Sequence, residues 1–132
     1  MDRTRVLVVD DERSFLKLAQ KRLTKRNLDV ETAESGPEAL EYLDAHPVDV
    51  VILDVRIPGM SGIETLKEIR RRHPDVEVIM LTGHGSMRSG IEGISLGAYD
   101  YMLKPFEIDD LLARIRAAHE HADLRRRAGE ER

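Results

Sequence analysis

Residues 48–62, VDVVILDVRIPGMSG, decide how the whole chain is read. Val48, Val50, Val51, Ile52 and Leu53 form a β-branched and apolar run, which suits a strand buried on both faces inside a parallel sheet. The run ends on a carboxylate, Asp54. An ionised Asp at the end of a buried strand is costly unless a cation, a base or hydrogen-bond donors stand beside it. Pro58, Gly59 and Gly62 then turn the chain, and Ser61 with Glu64 makes a capping box that opens the next helix. Taken alone, a strand-ending Asp more often caps a turn than carries chemistry. The rest of the chain decides between the two roles.

With 132 residues the chain fits one domain, long enough to bury a substantial core without disulfides or metal staples. It has no Cys, so disulfides say nothing of the compartment, and its start, MDRTRVLVVDDE, lacks the apolar stretch of a secretory signal. The longest apolar runs are strand-length and broken by Asp or Glu, far short of a membrane span. A soluble, cytoplasmic protein with no membrane contact is expected. Charged residues make up 35% while the net charge is only -4, so both signs mix over the surface and no basic field points to nucleic acid. The basic cluster Arg125 to Arg127 reads as a solvated helix end.

On the N-terminal side, Val6 to Val9 is a short apolar strand that stops at three acids, Asp10, Asp11 and Glu12. Phe15, Leu16, Ala19 and Leu23 recur at helical spacing among Arg and Lys, giving an amphipathic helix that closes near Asn27. Leu28 to Ala33 alternates apolar and polar residues, as a less buried second strand would. Ser35 with Glu38 is another capping box, and Pro37 sits in the first turn of a helix running to about Ala45. Beyond the central strand, Ile63, Leu66 and Ile69 mark a third helix, which Pro74 helps to end. Val76 to Leu81 is a fourth strand, ending at Thr82 before Gly83-His84-Gly85. A fourth helix, from about Ser86 to Leu96, is weakened by Gly90 and Gly93, each costing up to about 1 kcal/mol against Ala, and is expected to be mobile. Asp100 to Leu103 is a short fifth strand before Lys104-Pro105. Ile108, Leu111, Leu112 and Ile115 begin the last helix, with acids in its first turn. The predicted division is a folded domain over residues 1–122 and a polar helical extension or frayed tail over 123–132.

Five strands alternating with five helices make a doubly wound α/β domain, its mostly parallel sheet covered on both faces. In such sheets ligands sit outside the carboxyl ends of the strands. Those ends carry Asp10 and Asp11, Asp54, Thr82 and Lys104, so four strands deliver polar groups to one crevice. Three crowded carboxylates stay ionised at neutral pH only if a cation joins them, and an all-oxygen set without His or Cys favours Mg²⁺. Lys104 and Thr82 would hold two oxygens of a tetrahedral phosphoryl group. Phosphoryl transfer to a carboxylate fits such a site, because that chemistry needs chiefly positioning and charge neutralisation. A plain salt bridge for Lys104 and a helix cap for Thr82 are the everyday roles of such residues, but they would have to coincide at four strand ends.

Asp10-Asp11-Glu12 after strand one, Asp54 with Pro58-Gly59, Thr82 after strand four and Lys104-Pro105-Phe106 after strand five resemble, in order and spacing, the motifs of the receiver domain of two-component response regulators. The resemblance covers residues 4 to about 120. It implies the flavodoxin-like receiver fold with strand order 2-1-3-4-5. It also implies that Asp54 accepts a phosphoryl group from a sensor histidine kinase or phosphotransfer protein. Mg²⁺ would be held by Asp11, Asp54 and the main-chain carbonyl of Arg56, and by Asp10 through water. By the same resemblance Lys104 contacts the phosphoryl group, the Lys104-Pro105 bond is cis, and Thr82 with Tyr101 forms a switch pair acting on the surface of helix four, strand five and helix five. The family often pairs through that face when phosphorylated, and here it offers Arg88, Asp100, Arg114 and Arg116. Such a domain catalyses only its own phosphorylation and dephosphorylation and touches no nucleic acid itself. Arg56 and His84, two residues after Asp54 and Thr82, are expected to tune hydrolysis.

Three rivals are weaker. A flavodoxin-like cofactor binder needs a Gly, Ser or Thr-rich loop after strand one, where three acids would repel a phosphate. A hydrolase of the haloacid dehalogenase type carries Asp-x-Asp after its first strand, which neither Asp10-Asp11-Glu12 nor Asp54-Val55-Arg56 matches. A degenerate receiver serving only as a docking module would not need the full set of acids, Thr and Lys. The output is left open: LLARIRA at 111–117 resembles the fifth helix of DNA-binding regulators, while LTGHG at 81–85 resembles activators working with ATPase domains.

Overall fold

The computed structural model describes residues 3–57, 59–83 and 87–130, without the side chains of 87–90 and 130. Along the chain run β1 (Arg5–Val9), α1 (Arg13–Thr24), β2 (Asp29–Ala33), α2 (Gly36–Ala45), β3 (Val50–Asp54), α3 (Gly62–Arg72), β4 (Glu77–Thr82), α4 (Met87–Ser95), β5 (Asp100–Leu103) and α5 (Ile108–Glu130). All strand pairings are parallel, in the order β2-β1-β3-β4-β5, as the resemblance implies. β3 lies in the middle and every one of its residues is buried, whereas in β2 only Val30 and Ala33 are. That contrast follows from the residue patterns of the two strands.

Alternate residues of each strand feed two cores. Val6, Val8, Ile52 and Ile79 pack against α1 and α5 through Leu16, Leu23, Leu111 and Ile115. Leu7, Val9, Leu53 and Met80 pack against α2 and α3 through Leu40, Leu66 and Ile69. Loops fix how the helices leave the sheet. Asn27, in the left-handed region at φ 68, ends α1 where the sequence places the stop. The Ser35 and Ser61 hydroxyls accept from the N–H groups of Glu38 (3.2 Å) and Glu64 (3.1 Å) as predicted. In the first of these boxes the return bond goes from the Glu34 N–H to Glu38, not from Ser35 itself.

Two glycines are required for packing. A Cβ on Gly62 would lie 2.4 Å from the Asp54 carbonyl oxygen, so only Gly lets α3 start against the end of β3. A Cβ on Gly93 would come within 2.9 Å of Met80 Cγ, so a residue that weakens α4 also brings it close to the sheet. Ser86, where the sequence starts α4, lies outside the described residues with His84, Gly85 and Pro58, as does the Arg88 side chain.

At the opposite end of the sheet from Asp54, two buried acids hold the second half of α5. Asp49 accepts from the Arg5 N–H (2.8 Å) and side chain, and His119 stands 3.7 Å away. Glu77 is 2% exposed and is surrounded by Arg70 (3.6 Å), His121 and Arg125 (3.7 Å). Arg125, from the basic cluster read as solvated, also donates to the Pro74 carbonyl at 2.8 Å. α5 is accordingly one helix of 23 residues that crosses the full depth of the sheet.

Candidate functional site

The sheet register sets the crevice. β1 and β3 pair Val9 with Leu53, so the next residue on each strand, Asp10 and Asp54, emerges side by side. β4 and β5 pair Thr82 with Leu103, and the Lys104 N–H then donates to the Thr82 carbonyl at 2.8 Å. Asp10 is 1% exposed and Asp54 8%, while Asp11 faces solvent. Carboxylate oxygens of Asp10, Asp11 and Asp54, one from each, lie within 4.8 Å of one another. Among the described residues no other group of His or acidic side chains converges in this way.

The Lys104 ammonium spans the two buried acids, donating to Asp10 Oδ2 at 2.8 Å and to Asp54 Oδ2 at 3.3 Å. The other oxygens are held by the turns that follow: Glu12 N–H donates to Asp10 Oδ1 and Arg56 N–H to Asp54 Oδ1, each at 2.9 Å. Burial raises the Asp54 carboxyl above the usual aspartate value, and the charge of Asp10 adds to this against the Arg56 N–H and Lys104. Burial works the other way on Lys104, but its bonds and charge contacts with Asp10 and Asp54 prevail and hold it above the usual lysine value. The result is an ammonium kept charged between two anions that crowd each other.

Thr82 is fully buried and its hydroxyl donates to the Met102 carbonyl across the β4-β5 pair at 3.4 Å. Tyr101 is half-buried and packs on the α2-α3 side of the sheet in the cluster that holds Met80, the residue it faces across the register. Arg114 joins Asp100 at 2.5 Å and reaches the Tyr101 carbonyl at 3.4 Å, linking α5 to β5. The Lys104-Pro105 peptide is cis.

The structure therefore brings Asp10, Asp11, Asp54 and Lys104 together, with Thr82 and Tyr101 on the adjoining strands. His84 lies outside the described residues. Phe15 has a place at the site that helical spacing hid: it reads as a core position, yet its ring faces the Lys104 ammonium, 4.5 Å from ring centroid to nitrogen. The one signal was its position in the first turn after the acids, which aims it at the strand ends. Asp49 and Glu77 were equally hidden, since a polar residue at the edge of an apolar run gives no sign of whether it is buried.

Fold and site together define an α/β signalling module with a lysine-bridged carboxylate crevice at its strand ends. The chain matches the response regulator receiver domain over residues 6–116 and belongs to that family, the receiver domains of two-component systems. Among curated relatives, the DNA-binding transcriptional regulator NtrC of Escherichia coli K12 is 39% identical over 121 residues, covering 92% of this chain and 26% of that protein. Transcriptional regulatory protein TcrA of Mycobacterium tuberculosis is 40% identical, covering 86% of this chain and 45% of that protein. The chain thus spans about a quarter to a half of the length of these relatives. Among solved structures, NtrX from Brucella abortus superposes with a TM-score of 0.94 at 32% identity, over 99% of this chain and 30% of that one. A receiver domain protein from Clostridium thermocellum gives 0.87 at 35% identity, over 92% and 98%. No helix among the described residues is long and apolar enough to cross a membrane.

Proposed function

We propose that this domain accepts a phosphoryl group on Asp54 from a histidine-bearing kinase or phosphotransfer partner, in a Mg²⁺-dependent reaction, and passes the change to the α4-β5-α5 surface. The observation that carries this reading is the placement of Lys104 between Asp10 and Asp54, with a third carboxylate, Asp11, completing an all-oxygen set. Asp10, Asp11 and Asp54 fit a hard cation that prefers carboxylates and water, and the main-chain carbonyl of Arg56 would complete the protein's share of ligands. Mg²⁺, when bound, would neutralise the negative charge that gathers on the transferring group.

The chain's own residues do the rest. The Arg56 N–H fixes one oxygen of Asp54, leaving the other to form the new O–P bond as the N–P bond of the donor breaks and its electron pair stays on the leaving imidazole nitrogen. Lys104 exchanges its contact with Asp54 for one with a phosphoryl oxygen. Thr82 gives up its weak bond to the Met102 carbonyl to donate to another phosphoryl oxygen, and Tyr101 takes the space that this opens. The donor's approach is open beside the site: a mostly apolar groove of roughly 460 Å³ runs between α1 and the start of α5, past Lys104, with Leu18 on its rim. On this reading the domain works in the cytoplasm, and its catalysis is confined to its own phosphorylation and dephosphorylation.

Pairing of two phosphorylated copies through the α4-β5-α5 face is part of the proposal. It would exchange the Arg114 to Asp100 pair within one copy for pairs between copies. Contact with DNA is left outside it, because acids outnumber bases overall, 25 to 21. Intact-mass analysis after incubation with a small phosphodonor tests the core of the reading. One phosphoryl group should be gained in Mg²⁺ and none with a chelator or in Asp54→Asn; uptake that survives either would refute it.

A further inference from the structure

A lysine ammonium is a compact charge on a flexible four-carbon stem, and two acceptors at 2.8 and 3.3 Å leave it free to swing about the line between them. A third contact limits that swing. The ammonium sits over the Phe15 ring, 4.5 Å from its centroid. Phe15 is braced in turn by Phe106, whose ring meets it nearly edge-on at 6.2 Å and 83°. Phe15 belongs to the first helix after the acids and Phe106 lies two residues past Lys104, so both are set by the segments that carry the site.

We propose that Phe15 is a positioning residue for Lys104: its ring face steers the ammonium into the crevice and keeps water from that side while the ammonium moves from Asp54 to a phosphoryl oxygen. A ring face suits this task because attraction to its π cloud tolerates sliding, whereas a third carboxylate would compete with the phosphoryl group for the charge. The proposal rests on Asp54 being the phosphoacceptor.

Two replacements separate the ring's electrons from its bulk. Phe15→Leu removes the π face and keeps an apolar side chain, while 3,4,5-trifluorophenylalanine at position 15 keeps the shape and drains the face of negative charge. The readouts are the Lys104 ε-methylene resonances, which the ring current displaces, and the rate of Asp54 phosphorylation by phosphoramidate in Mg²⁺, a donor too small to need docking. In Phe15→Leu the Lys104 resonances should move toward ordinary lysine positions and the rate should fall about threefold to tenfold. The trifluoro protein should be intermediate in rate, and Phe15→Tyr should match the wild type. A rate within twofold of wild type in Phe15→Leu, a slower rate with the Lys104 resonances unmoved, or a trifluoro protein as fast as wild type would each overturn the proposal. If the wild type gains no phosphoryl group, the phosphoacceptor reading fails, and unmoved Lys104 resonances in Phe15→Leu would overturn the contact separately.

Discussion

Asp54 and Asp10 share one ammonium, so without metal the crevice carries more negative charge than its lysine can balance. Replacing one anion by a neutral isostere should relieve the crowding. Asp54→Asn is expected to melt a few degrees above wild type in metal-free buffer, and Mg²⁺ should raise the melting temperature of the wild type but not of the variant. A lower melting point for Asp54→Asn without metal would contradict the charge account. Asp49, at the other end of β3, has the opposite balance. Burial pushes its carboxyl up, but the hydrogen bonds and charge of Arg5 together with His119 outweigh this and hold it below the ordinary value of 3.8. A depressed carboxyl gives stability that is fully present above the unfolded value and lost as pH falls through the lower folded one. Asp49→Asn should therefore destabilise the protein just above the ordinary aspartate range, and less as pH drops below it. Melts of both proteins from neutral to acid pH check this; a penalty that grows on acidification would rule it out. Asp54 was legible in the sequence because it follows a long apolar strand, where a polar residue stands out, and Lys104 because it follows the short fifth strand in step with the other strand ends. Asp49 was not, because it lies between Val48 and Val50 just before its strand and only the fold reveals that its side chain is buried.

Strands and helices were legible in kind and order because each keeps one period. The differences are at the ends, where a hydrogen bond and not a pattern decides. β3 begins at Val50 rather than Val48, and β4 extends to Thr82. The start of α3 carries two requirements, a cap and a close approach. Ser61→Ala should cost about 1 kcal/mol by loss of the cap, and Gly62→Ala more, about 1–3 kcal/mol, because a methyl group meets backbone and not a movable side chain. Urea unfolding of both variants ranks them, and the reverse order would show that the contact relaxes cheaply. The second half of α5 was the least legible element, since its residues read as polar and solvated. What holds it is specific: Glu77 under His121 and Arg125, and Asp49 near His119. Glu77→Gln is therefore expected to speed amide hydrogen exchange in residues 119–130 and leave 108–118 protected. Exchange unchanged in 119–130 would mean that the helix stands without this anchor.

Across the molecule, the parallel register makes one end of the sheet a site and the other an anchor, joined by the same strands. β3 runs from beside Asp49 to Asp54, and β4 from Glu77 to Thr82. On the proposed reading, a phosphoryl group at Asp54 should then be felt first on β4 and β5, where Thr82 and Tyr101 lie. Thr82→Ala should leave phosphorylation largely intact while weakening the response of the Tyr101 ring and the α4 amides in NMR spectra. Unchanged spectra in the wild type on saturation with a phosphoryl mimic would mean that the signal leaves by another route. In the proposed function everything downstream rests on one covalent event at one side chain. Its most direct measurement is reduction of the phosphorylated protein with borohydride, which turns an aspartyl phosphate into homoserine, followed by sequencing of the peptides by mass spectrometry. Homoserine at position 54, formed only when Mg²⁺ and phosphodonor are both present, is the expected result. Homoserine at Asp10 or Asp11, or none anywhere in protein that has gained the mass of a phosphoryl group, would contradict it.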